Sequence, residues 1–320
     1  MLAPRTNGEI MTEVLRGGVI GAGVFGGYHA RQYARIAGVR LAGVFDLHPD
    51  RAAALAMPLG GRGFADLDEF LTAVDVVTIA SPASHHADQA IAALKAGKSV
   101  YVEKPIAVSV ADAVRVLAAA ALGGGVVACG HQERAVFQAI GLLDAPEPPL
   151  FLEALRHGPP SDRSQDVSAV LDLMVHDLDL ALAIFGAEPL AAEGEGRIGP
   201  SGRWDDARAE VTFESGATAV FDVSRTAAER RRTMRVVYAA GEVEIDFVAR
   251  TFRNTTPYAL NANFADTPAG RDPLGASVEG FLRAVKGETS RPVVTAEEAI
   301  AALDLALAVE QALEDSGQSG

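Results

Sequence analysis

In VIGAGVFGGYHA, Gly21, Gly23 and Gly26 are spaced G-x-G-x-x-G between an apolar run and a helical pattern, with Val24 and Phe25 in the intervening places. Each glycine has its own use beside a phosphate. The first permits a tight turn, the second lets backbone approach a pyrophosphate, and the third lets the following helix pack on the strand. The spacing alone is weak in a chain with 32 glycines. Asp46 strengthens it, because it ends VRLAGVFD twenty residues after Gly26. A carboxylate there accepts hydrogen bonds from ribose hydroxyls and repels a 2′-phosphate, so the expected cofactor is NAD. Arg51, close by in sequence, leaves NADP open.

Two further groups could act on a substrate. KSVYV runs into Glu103-Lys104-Pro105. An open α/β sheet binds ligands at the carboxyl ends of its strands, which puts Lys104 where cofactor and substrate would meet; a lysine at a strand exit is equally an ordinary surface residue. Proline leaves the Lys104–Pro105 bond free to be cis or trans. Ser81 and Pro82 follow VDVVTIA and would sit beside the same cleft. Farther on, Asp172 and His176 stand four apart in VLDLMVHDLDL, so on an α-helix they share a face. A carboxylate beside an imidazole orients the ring and favours its protonated form, which suits a base that takes a proton from an alcohol. The same pair also suits a helix start with a structural histidine. No metal site is expected, since His85 and His86 are adjacent rather than at ligand spacing. The single cysteine, Cys129 in VVAC, reads as a small buried residue.

The elements that would hold these groups alternate at first. Short apolar runs (VLRGGVI, VRLAGVF, VDVVTIA, KSVYV, GVVAC) are separated by alanine-rich helical stretches, one closing at Gly97 and one opening on Ser109. That order argues for a parallel sheet covered on both faces. After APEPP at residues 145–149 the pattern changes. FLEALRH reads as a strand, DLMVHDLDLALAIFG as one amphipathic helix closed by Gly186, and RAEVTF, ATAVFDVSR, MRVVYAA and EVEIDF as successive antiparallel strands. Two late helices follow, the second opened by a Thr295–Glu298 capping box. The expected fold is α/β: an N-terminal doubly wound Rossmann sheet over residues 14–130, then an α+β domain over 131–320 with a large, mainly antiparallel open sheet. Residues 1–13 read as a disordered lead, and the final helix could return to the first domain.

Composition narrows the partners. A formal charge of −14 opposes non-specific nucleic-acid binding. No apolar stretch approaches the length of a membrane span. One cysteine excludes an intrachain disulfide. The expected location is the cytoplasm, and the expected partner is a small molecule.

With the glycine turn, the Glu-Lys-Pro corner and the D-x-x-x-H helix in this order, the chain resembles the family of glucose-fructose oxidoreductase and inositol dehydrogenase over nearly its whole length. The resemblance implies an NAD(P)-dependent dehydrogenase acting on CH-OH groups, assembled as a homodimer or homotetramer. It implies that Lys104, Asp172 and His176 converge on the reacting carbon, with His176 taking the hydroxyl proton, Lys104 holding the substrate oxygen and Asp172 orienting His176. It also implies cofactor-side places for Ser81, Pro82, His86 and Glu103. CGHQER and DVSAVLDLMVHDLDL resemble members that oxidise the 3-hydroxyl of UDP-N-acetylglucosamine, although those commonly carry E-R-F-N-P where this chain has Glu133-Arg134-Ala135-Val136-Phe137. A diphosphate on so acidic a chain needs local cations. Arg134, Arg156 and Arg163 are the expected substrate contacts, with Arg225 and Arg232 as further candidates. An inositol or free-aldose dehydrogenase, an NAD-dependent glycosidase and a non-catalytic dinucleotide sensor are the alternatives.

Overall fold

The computed structural model describes residues 14–161 and 166–317. The expected lead at 1–13 and Arg163 lie outside the described residues. The chain divides into two compact units, one ending at Thr78 and the other beginning at Ile79.

The first unit contains β1 (Leu15–Ile20), α1 (Val24–Arg35), β2 (Val39–Phe45), α2 (Pro49–Ala56), β3 (Arg62–Phe64) and α3 (Leu67–Ala73), and runs into β4 (Val76–Ile79). β1 pairs parallel with β2, and β2 with β3. Close packing here depends on missing side chains. A Cβ on Gly17 would stand 2.7 Å from the Tyr33 ring, and one on Gly18 would stand 2.6 Å from Phe70. The buried Tyr33 hydroxyl is satisfied by Thr78 Oγ1 at 2.9 Å.

The second unit continues with α4 (His86–Lys95), β5 (Ser99–Val102), α5 (Val110–Gly123), β6 (Val127–Cys129), α6 (Glu133–Ile140) and β7 (Phe151–His157). A π-helical turn over Val170–Met174 leads into α7 (Val175–Phe185). Then come β8 (Pro189–Ile198), β9 (Trp204–Phe213), β10 (Thr218–Ser224), β11 (Arg231–Tyr238), β12 (Gly241–Asp246), β13 (Thr251–Asn254), α8 (Pro268–Arg271), α9 (Pro273–Val285) and α10 (Ala296–Gly317). The helix ends follow the local residues. Ser109 Oγ accepts from Asp112 N at the start of α5, and Gly186 takes the left-handed conformation, φ 59°, that ends α7. Thr295 N donates to Glu298 Oε2, and Glu298 N to Thr295 Oγ1, as the capping box requires.

Two sheets result. The six-stranded parallel sheet has the order β3-β2-β1-β4-β5-β6, the doubly wound arrangement read from the sequence. The seven-stranded sheet has the order β13-β12-β11-β7-β10-β9-β8. This sheet is mainly antiparallel, as expected, and β7, inserted between β11 and β10, pairs in parallel with β10. Long connections between β7 and β10 carry the chain back to the same end, which a hairpin cannot do. Period-two burial makes one face of this sheet a core, with Leu152, Ala154, Val211, Phe221, Met234 and Val236 buried. Phe185 of α7 stacks on Phe213 of β9 at 4.4 Å. The other face carries charge pairs such as Arg235–Glu242 and Arg253–Glu244. α10 lies against β8, α7 and α5, and Cys129 N of β6 donates to Val294 O just ahead of it. Among the described residues, no helix is long and apolar enough to cross a membrane.

Candidate active site

The glycine turn sits where β1 ends. Gly21 has φ 101°, and its N–H donates to Phe45 O at 2.8 Å, binding the turn to the end of β2. Gly26 is obligatory, since a Cβ there would lie 1.8 Å from Gly21 O. In front of Gly23 the space is open. No side chain caps α1 and its first turn holds no acid, so its leading N–H groups face that space with the helix dipole behind them. Val24 is exposed, and Phe25 packs edge-on against Tyr28. Asp46 accepts from Ala22 N at 2.7 Å and from His48 N at 2.9 Å, which fixes its carboxylate beside the turn and leaves lone pairs for a ribose diol. Arg51 Nη2 stands 3.5 Å from Ala22 O. Open space, an uncapped helix start and a fixed carboxylate fit a dinucleotide.

At the exits of β4 and β5, the resemblance placed Ser81, Pro82, His86 and Glu103 toward a cofactor. The structure gives His86 a different task. Its ring is buried between the two strand exits, with Nδ1 2.8 Å from Pro105 O and Nε2 2.9 Å from Ser81 O, and in its neutral form it donates to one of these carbonyls. Burial presses its pKa below the usual histidine value despite both carbonyls. Ser81 Oγ donates to Gln89 Oε1, while Pro82 is exposed. Glu103 is buried, and its Oε2 accepts from Lys104 N at 3.3 Å. A Cβ on Gly130 would lie 2.8 Å from that same oxygen, so glycine at 130 leaves room for the Glu103 carboxylate in this position. The Lys104–Pro105 bond is cis.

Lys104 is the pivot of the second unit's polar cluster. Its side chain is 8% exposed, and Nζ donates to both Asp172 Oδ1 and Asp172 O, each at 2.7 Å. His176 Nδ1 lies 2.9 Å from Glu133 Oε2, close but out of line for a hydrogen bond. This corrects the expected orienting role of Asp172: Asp172 receives Lys104, and the carboxylate at the His176 ring is Glu133. Asp172 lies in the π-helical turn Val170–Met174, ahead of the α-helix that carries His176.

Glu133 opens α6 and joins two charges. Its Oε1 accepts from Arg156 Nη1 at 2.9 Å, and Arg156 grips Asp177 with two further bonds at 2.9 and 2.7 Å. Burial works to raise the Glu133 pKa, but His176 and Arg156 together outweigh it and hold the carboxyl well below its usual range. His131 completes the group. Its ring meets that of His176 edge-on at 5.9 Å, neither of its nitrogens has a hydrogen-bond partner among the described residues, and burial pushes its pKa down to about 4. Such a ring is neutral near pH 7.

The arginines also need correction. Arg134 is buried and forked on Asp179, with its third nitrogen on Glu298. Arg156 is enclosed by Asp177 and Glu133, and Arg225 is held by Asp205, Ser201 and Val167 O. These three guanidinium groups answer internal carboxylates, because a buried arginine without one would be prohibitively desolvated. They are therefore part of the scaffold rather than free substrate contacts. Sequence reasoning missed Glu133 and His131 as members of the cluster, although CGHQER contains both. No group of three His, Cys, Asp or Glu suited to a metal occurs among the described residues.

Comparison with known proteins identifies the family. Residues 15–131 match a family model described as "Oxidoreductase family, NAD-binding Rossmann fold", and residues 152–244 match the "GFO/IDH/MocA C-terminal domain". The chain is 36% identical over 288 residues to a UDP-N-acetylglucosamine 3-dehydrogenase of Acidithiobacillus ferrooxidans, covering 87% of this chain and 90% of that protein. It is 30% identical over 235 residues to a scyllo-inositol 2-dehydrogenase (NAD(+)) of Bacillus subtilis, covering 68% and 69%. A solved structure of UDP-N-acetylglucosamine 3-dehydrogenase GnnA from Acidithiobacillus ferrooxidans superposes with a TM-score of 0.86 at 34% identity, over 94% of this chain and 98% of that one.

Proposed function

Because the chain belongs to the GFO/IDH/MocA oxidoreductase family and carries an NAD-binding Rossmann domain, we propose that it oxidises a secondary hydroxyl of a sugar, the 3-hydroxyl of a UDP-N-acetylhexosamine. The observation that supports this best is the buried cluster in which Lys104, at the exit of β5, and His176, on α7, each meet a carboxylate, Asp172 and Glu133. Nicotinamide, when bound, supplies the hydride acceptor. His176 removes the hydroxyl proton. Glu133 stands at its Nδ1 and stabilises the imidazolium that forms, so the opposite nitrogen, Nε2, is the one that faces substrate. Lys104, held by Asp172, donates to the substrate oxygen and stabilises the negative charge developing there. Glu103, Ser81 and Pro82 belong to the cofactor side of this proposal, with Gly21, Gly23, Val24, Phe25, Gly26 and Asp46 at the dinucleotide.

A domain boundary near residue 130, a cytoplasmic location and assembly into a homodimer or homotetramer form part of the same reading. The experiment is a panel of UDP-sugars, inositols and free aldoses incubated with NAD and with NADP, following reduced cofactor and released sugar. NADH formed with a UDP-N-acetylhexosamine is the expected result. Turnover of free polyols alone would replace the nucleotide-sugar reading. Free sugar released without net NADH would indicate a transient oxidation that serves glycoside cleavage.

A further inference from the structure

Arg156 on β7 and Arg232 on β11 are register partners, so their side chains leave neighbouring strands on the same face of the sheet. Their surroundings differ. Arg156 is fully buried and answered by two carboxylates, whereas Arg232 is half-buried and forms no ion pair or side-chain hydrogen bond among the described residues. The carboxylates that influence it, Glu133 and Asp177, are already engaged: Asp177 by the Arg156 fork, Glu133 by Arg156 and the His176 ring. Burial, with Arg156 and Arg230 adding repulsion, disfavours the charge on Arg232. Like charges directly opposite on paired strands are unfavourable, and a guanidinium keeps five donors in a fixed fork that matches phosphate oxygens. In a chain of net charge −14, the run Arg230-Arg231-Arg232 is a local reversal of sign.

We propose that Arg232 is the docking point for a phosphate group of the substrate, beside the His176–Glu133 pair. This rests on the nucleotide-sugar reading above and assigns to one residue the recognition that separates a sugar nucleotide from a neutral polyol. Arg134, Arg156 and Arg225 cannot take that part, since their donors are spent on internal acceptors. Arg163 lies outside the described residues.

The test is calorimetric titration of UDP, as the probe, into NAD-loaded wild type, Arg232→Gln and Arg232→Lys, with steady-state kinetics on UDP-N-acetylglucosamine and on a neutral inositol. Loss of a charge-assisted bond predicts UDP binding weaker by about 10–100-fold in Arg232→Gln and a KM effect larger than the kcat effect. It also predicts partial recovery in Arg232→Lys and no selective change toward the neutral polyol. UDP affinity and KM equal to wild type would overturn the assignment. So would a fall in kcat at unchanged KM with a displaced pH profile, which would make Arg232 a counter-charge for Glu133. Wild type that turns over only neutral polyols would remove the nucleotide-sugar reading, and UDP bound by wild type but lost in Arg232→Gln would still uphold the phosphate subsite.

Discussion

Two ion networks hang from α7 and the turn before it, and they differ in what folding leaves unfinished. In one, Arg134 forks onto Asp179 and reaches Glu298, which also caps α10 and meets Arg291. None of its buried polar atoms is left without a partner among the described residues. In the other, both nitrogens of His131, Nδ1 of His176 and Oε2 of Glu133 are buried without a well-aligned hydrogen bond. Unsatisfied buried polar atoms are costly and rare. The first network ties α6, α7 and α10 together, and the second holds the groups proposed to act on substrate.

That contrast can be broken by substitution. Lys104→Met or His176→Asn should lower kcat by about 10²–10⁴-fold while NAD affinity stays near wild type, as stopped-flow turnover and cofactor titration would read. Asp179→Ala should act the other way. It strands the Arg134 guanidinium in the interior, costing about 3–5 kcal/mol of stability in denaturant melts, while the folded fraction keeps its turnover. Equal losses of turnover in the two networks would erase the distinction between them.

Smaller effects sharpen it. The His131 pKa of about 4 in the folded chain lies below its unfolded value near 6.5. The unfolded chain therefore binds more protons between those values, and this residue withdraws stability as pH falls through that window. From pH 7 to pH 5 the loss is about 2 kcal/mol. His131→Phe should show a correspondingly shallower decline in melting temperature over that range, whereas identical slopes would show that the buried ring does not titrate as described. His86, also pressed downward by burial, is common to both proteins and cancels in the difference. At the small end, Arg253→Ala on the exposed sheet face should leave the melting temperature within error, because that pair lies in water.

The architecture was legible because its signals are local. Glycine spacing, apolar runs and capping residues identified β1, β2, α5, α7 and α10, and Asp46 stands at the turn as its spacing required. β8 escaped notice: PLAAEGEGRI is an edge strand rich in glycine and glutamate, with little alternation to read. The π turn was invisible, since side-chain periodicity does not report which carbonyl each N–H selects. Glu133 and His131 were in plain view, but their meeting with His176 depends on how α6 packs on α7, a contact across more than forty residues of chain. The arginines failed for a related reason. Sequence displays the cations, while only the fold shows that Asp177 and Asp179 have claimed two of them.

In the proposed reaction His176, beside Glu133, takes the proton while Lys104 steadies the oxygen. The most direct measurement is kcat/KM with UDP-N-acetylglucosamine for wild type, Glu133→Gln and His176→Asn. A rate lower by about 10²–10⁴-fold in His176→Asn, with a smaller loss in Glu133→Gln, is the expected result. A wild-type rate in His176→Asn would contradict it.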